Sequence, residues 1–148
     1  MRLQNIMNSI FELIKKHEGY RQFPYVDTVG KITIGHGFNL TDVGLDKEEC
    51  RMILDYRIGQ CMAKLRTGFL WFDALDSVRQ DVLIDMTYQL GFQGLLKFVM
   101  TLKHIELKEY DLAAETILDS KAARQCPNRY KELAQMMRTG KYNDIYSG

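Results

Sequence analysis

The spacing of apolar residues changes at Gly19, and that change restricts the fold more than any other feature of the chain. Ile6, Ile10, Leu13 and Ile14 recur at helical intervals, and Gly19 supplies the left-handed stop that ends many helices. From Tyr20 to Phe38 the pattern turns to Gly, Pro and β-branched residues, with polar and apolar positions alternating around Thr33 and Ile34. That segment predicts a small antiparallel hairpin or sheet turning at Asp27 to Lys31. No later segment reads convincingly as β.

Asp46 followed by Glu49 matches a capping box, and Cys50, Leu54, Ile58, Cys61 and Leu65 then mark one face of a long helix able to join two lobes. Past a break at Gly68 to Phe72, Asp73 or Asp76 can cap a helix carrying Leu75, Val78, Val82 and Met86, with Gly91 and Gly94 marking the next turn. Leu95, Phe98, Leu102 and Ile105 predict another helix, and Ala113, Ala114, Ile117 and Leu118 a further one. A final helix should begin near Pro127, carry Tyr130, Leu133, Ala134 and Met137, and stop at Gly140. The expected class is α+β with helix in excess. The expected organisation is one catalytic domain over 1–148, with a small lobe at about 18–50, a linking helix at about 46–65 and a helical lobe from 1–17 and 66–148.

Composition removes several functions. With 20 Lys and Arg against 19 Asp and Glu the net charge is +1, and no long basic run offers a nonspecific nucleic-acid surface. No segment reaches transmembrane length, so stable membrane insertion is not expected. The first 16 residues mix polar with apolar positions and lack a small-residue cleavage site, so synthesis in the cytoplasm without a signal peptide is expected. Cys50 and Cys61 lie roughly 16 Å apart on one helix at ~1.5 Å per residue, too far to bridge. With Cys126 they read as free thiols of a reducing compartment. The three histidines, His17, His36 and His104, show no metal-binding spacing, so neither a metal nor another cofactor is expected. No serine occupies a Gly-x-Ser-x-Gly elbow.

The candidate chemistry lies where the period changes. Glu18 closes the first helix, where the macrodipole is negative and disfavours an ionised carboxylate. Asp27 follows in a turn nine residues later, and Thr33 in a strand six beyond that. Each has an ordinary reading alone: a solvated Glu at a helix end, a turn-forming Asp, a strand-forming Thr. Together they offer two carboxylates in different surroundings, which glycoside hydrolysis requires.

With those residues in view, the chain resembles the phage-type lysozymes of glycoside hydrolase family 24, typified by the T-even phage endolysin. The resemblance runs through Glu18-Gly19, Tyr25-Val26-Asp27-Thr28 and Thr33-Ile34-Gly35-His36-Gly37. It resumes at Phe72 to Arg79 and at Tyr88-Gln89-Leu90-Gly91, and ends with Pro127-Asn128-Arg129 and Arg138 to Tyr142. It implies a lysozyme-like fold, with Glu18 as the general acid and with Asp27 and Thr33 positioning the attacking water. It places an arginine that orients the acid at Arg129, and substrate contacts at Asn39, Tyr88, Thr101 and Thr116. Phe38 stands where the type member has histidine, with His36 two positions earlier, so that relative's buried histidine–carboxylate pair is not carried over.

The resemblance further implies an N-acetylmuramidase acting by inversion on the β-1,4 bond of peptidoglycan without cofactor, and a monomer is the default expectation. In a phage lysis gene a holin would open its route to the wall. The rival readings are a lytic transglycosylase-like enzyme, a noncatalytic wall-binding or virion structural domain of the same fold, and a bacterial effector using the same chemistry.

Overall fold

The computed structural model describes the backbone of residues 2–143 and the side chains from Ser9 onward, so the side chain of Ile6 lies outside the described residues. The chain forms two compact units, Met1–Met52 and Ile53–Gly148, and the boundary falls within a helix. Helix α1 spans Arg2–Glu18 and stops at Gly19, whose φ of 70° is the left-handed conformation expected of it. Strands β1 (Arg21–Val26), β2 (Ile32–Gly35) and β3 (Phe38–Asn39) then form one antiparallel sheet in that order. Tyr25 and Asn39 both pair with Thr33, so these three side chains share one face. The register shifts between Arg21 and Tyr25, where Pro24 has no N–H to give the ladder, and β1 is an edge strand that tolerates the loss.

Helix α2 (Lys47–Gly68) begins with the expected capping box. Asp46 Oδ1 accepts from the Glu49 amide at 2.8 Å, and Glu49 Oε2 accepts from the Asp46 amide at 2.8 Å. Its expected apolar face is buried only near the far end, at Leu65, while Cys50 and Leu54 are exposed. All three thiols are unbridged.

In the second unit a 3-10 turn at Phe72–Ala74 precedes α3 (Ser77–Leu96), which Asp76 caps by accepting from the Arg79 amide. The turn expected at Gly91 and Gly94 is instead a kink: Gly91 takes a non-helical φ of 73°, but helical structure resumes and carries Leu95 into the core. Leu95 therefore ends α3 rather than starting the next helix, and α4 runs Val99–Glu106. Helix α5 (Tyr110–Leu118) agrees with the apolar spacing. The five-residue α6 (Lys121–Gln125), too short to show a period, is set by Ser120, whose hydroxyl accepts from the Ala123 amide at 3.0 Å. Helix α7 (Pro127–Thr139) ends at Gly140, φ 68°.

The core lies among α3, α4, α5 and α7, with Val82, Leu83, Met86, Ile105, Ile117, Tyr130 and Met137 at its centre. Helices α3, α5 and α6 each pack on α7. Arg79 of α3 closes the end of α7: Nε donates to Met137 O at 2.7 Å, Nη2 to Arg138 O at 3.0 Å, and Nη1 to Asp76 at 3.0 Å. Its guanidinium also stacks over Tyr110, 3.6 Å from the ring centre. We expect Arg79→Ala to cost about 2 kcal/mol through the lost charge-assisted bonds. That corresponds to a melting temperature lower by roughly 4–8 °C. Arg79→Lys should recover only part of it, because a lysine lacks the planar fork that spans two carbonyls. An unchanged melting curve for Arg79→Ala would show that the contact contributes nothing.

Candidate active site

The first unit contains Glu18, Asp27, Thr33 and Asn39. Asp27 is held by the turn it makes: Oδ1 accepts from the amides of Val29 at 2.9 Å and Lys31 at 2.8 Å, and its own amide donates to Lys31 O at 2.9 Å. With Oδ1 committed to the backbone, Oδ2 is the oxygen able to serve a substrate or water. Thr33 is buried, 4% exposed, and its hydroxyl donates to the same Lys31 carbonyl at 3.2 Å. Its proton is thereby used, so toward a water Thr33 acts as an acceptor. Asp27 and Thr33 are thus both tied to the backbone of one residue, Lys31.

Asn39 shares the face of Thr33 but is engaged with its own turn. Its Nδ2 donates to Asp42 Oδ2 at 3.1 Å, and its Oδ1 accepts from the Asp42 amide at 2.9 Å. One amide hydrogen remains for another partner. Lys31 Nζ braces the same turn through Asp42 Oδ1 at 3.0 Å.

Glu18 is exposed at the end of α1, and its carboxyl lies against the turn between β2 and β3. A Cβ added to Gly37 would fall 2.2 Å from Glu18 Oε2 and 2.8 Å from Cδ. A φ of 73° favours glycine at 37, and any larger residue would also push the Glu18 carboxyl from its place. Neither Gly37 nor the Lys31 backbone stands out in a reading by residue type. Their signal is the Gly35-His36-Gly37 run directly after the strand, which reads first as turn punctuation.

The second unit holds Tyr88, Thr101, Thr116 and Arg129. A cleft of about 710 Å³ is lined by residues including Leu90, Phe98, Thr101, Thr116, Ser120 and Lys121. Thr101 and Thr116 meet in it with their hydroxyl oxygens 2.7 Å apart. Because Thr116 donates to Ala113 O at 2.8 Å, Thr101 is the donor between them. Tyr88 is 44% exposed on α3 and does not line this cleft. The guanidinium of Arg129 is bound to Asp85, with Nε donating to Oδ1 at 2.8 Å and Nη2 to the backbone carbonyl at 3.4 Å. That hydrogen bond raises the arginine's pKa further, although burial opposes it. Asp85 was not anticipated from the sequence, since an acidic residue on an amphipathic helix has an ordinary solvated reading. Among the described residues no cluster of His, Cys, Asp or Glu could hold a metal ion, and no helix is long and apolar enough to cross a membrane.

The family model for phage lysozyme matches residues 15–135, from just before Glu18 to past Arg129. Two proteins of Dictyostelium discoideum are similar to the chain over nearly their whole length. Probable T4-type lysozyme 1 is 26% identical over 93% of this chain and 98% of its own. Probable T4-type lysozyme 2 is 28% identical over 91% and 96%. With the match covering both the carboxylates of the small sheet and the helical unit that follows, the chain belongs to the phage lysozyme family.

Proposed function

We propose that the chain is an N-acetylmuramidase, a lysozyme that hydrolyses the β-1,4 bond between N-acetylmuramic acid and N-acetylglucosamine in peptidoglycan. The observation that carries the assignment is the small sheet, within the family match, that holds Asp27 and Thr33 on the Lys31 backbone and Glu18 against Gly37. In this reading Glu18 protonates the glycosidic oxygen as the bond breaks. A water donates one hydrogen to Asp27 Oδ2 and the other to the Thr33 hydroxyl, and as its lone pair bonds to the anomeric carbon its proton passes to Asp27 Oδ2. Attack from the face opposite the leaving group inverts the configuration.

Asn39, Tyr88, Thr101 and Thr116 are the saccharide contacts of this proposal, and Arg129 is its orienting residue, with Asp85 fixing the guanidinium. No cofactor takes part. The enzyme acts at the bacterial wall as a monomer, and in a lysis setting it reaches the wall after a holin opens the membrane.

Digestion of purified sacculi tests the assignment. Hydrolysis yields a new reducing end, inversion gives the α anomer at early times in proton NMR, and a transglycosylase would give an anhydro product without a reducing end. Glu18→Gln should lower the rate by about 10²–10⁴-fold with the fold retained. Asp27→Asn keeps an Oδ1 acceptor for the turn but removes the charge. A comparable loss there identifies a reacting carboxylate, whereas wild-type clearing would leave Asp27 as a turn former only. We also expect Gly37→Ala, whose methyl would displace the Glu18 carboxyl, to reduce kcat at least about tenfold. A fully active Gly37→Ala enzyme would mean that the carboxyl works from some other position.

A further inference from the structure

Gly19 follows Glu18 directly and carries two restraints. Its amide donates to Lys15 O at 2.8 Å, closing the last turn of α1. Its carbonyl receives the ring of His36, with Nδ1 2.6 Å from the oxygen. A carbonyl oxygen only accepts, so the proton of this bond belongs to Nδ1. The ring is set between two aromatics, 5.4 Å from Tyr20 at 50° and 6.3 Å from Phe38 edge-on. The backbone pairing of β1 with β2 has Arg21 opposite Gly35 as its outermost pair, so the His36 side chain supplies the next link toward Glu18.

The residue after His36 is Gly37, the wall against which the Glu18 carboxyl lies. Two successive residues of one turn therefore hold the acid from both ends: His36 grips the peptide unit that follows it, and Gly37 limits where its carboxyl can go. A single link between α1 and the turn lets a small rotation at Gly19 swing the carboxyl away from the wall. From this geometry, and resting on the assignment of Glu18 as the acid, we infer that His36 is a positioning residue that fixes Glu18 for proton transfer through the Nδ1–H to Gly19 carbonyl bond.

Three substitutions separate the bond from simple packing. His36→Phe keeps a ring beside Tyr20 but has no donor, His36→Ala has neither, and His36→Asn places an amide N–H near the position of Nδ1. On peptidoglycan we expect the Phe and Ala variants to lose about 10–100-fold in kcat with KM within about twofold, the pattern of a misplaced reacting group. The Asn variant should regain most of the rate. A Phe variant as active as wild type, or an Asn variant no better than Phe, would overturn the inference.

The histidine ¹⁵N spectrum of the unaltered protein supplies a test that needs no variant to fold. Deprotonated His36 should carry its proton on Nδ1 with Nε2 bare, and the opposite tautomer would overturn the proposal. Glu18→Gln serves as the control. If it stays active, the assignment of the acid falls and this inference with it; if it is inactive while His36→Phe is unimpaired, only the role of His36 is lost.

Discussion

Helix α7 is the surface on which the helical unit is assembled, and its end is satisfied from outside the helix. A helix leaves its last carbonyls without internal partners. Here Arg79, on α3 and 58 residues before the first of them, provides the donors for two of these carbonyls while Asp76 and Tyr110 hold its guanidinium. Gly140 belongs to the same arrangement, since a Cβ there would lie 2.7 Å from Arg79 Nη1. The cap thus joins the start of α3 to the end of α7 and fixes the wall of the core that contains Met86, Tyr130 and Met137. The other end is tied by side chains too: the Tyr130 hydroxyl donates to Gln89 Oε1 at 2.6 Å, and Gln89 Nε2 approaches Cys126 Sγ at 3.4 Å.

The small sheet follows a different rule. Its apolar residues Phe23, Val26, Ile32 and Phe38 are largely exposed, so its geometry rests on turns, and the turn residues are the ones that hold the proposed catalytic groups. Asp27 makes its turn by accepting two amides, and the Gly35 to Phe38 turn brings His36 and Gly37 to the end of α1. Placement of Asp27 and stability of its turn are therefore expressions of the same hydrogen bonds, whereas in the helical unit Leu90, Phe98 and Ala122 line the cleft while packing on the apolar core.

This difference explains what could be read from the sequence. The helices announced themselves wherever an apolar period was long enough, as at Ala113 to Leu118 and Tyr130 to Met137, and wherever a stop was stereochemically forced, as at Gly19 and Gly140. The capping box at Asp46 was legible because both of its partners lie within three residues. Ser120 and α6 were not, because five residues cannot display a period, and Gly91, which reads as a turn, is a kink because burial of Leu95 favours resuming the helix. The candidate acid, its companion Asp27 and Thr33 were visible as residue types in a short segment. The bonds that position them pair residues 17 or more apart, as His36 with Gly19, or use backbone groups that have no letter in the sequence, as at Lys31.

The double use of Asp27 bears on how copies of this domain would diverge. A carboxylate that organises its own turn remains under selection for folding even after an enzyme has lost its substrate, so its persistence says little about whether a copy still works. Glu18 contributes nothing to that turn, and a lineage freed from catalysis could exchange it without disturbing the sheet. With Glu18 as the proposed acid, position 18 is where descendants of such a chain should first record a loss of activity, while position 27 would preserve the appearance of an active enzyme long after the activity had gone.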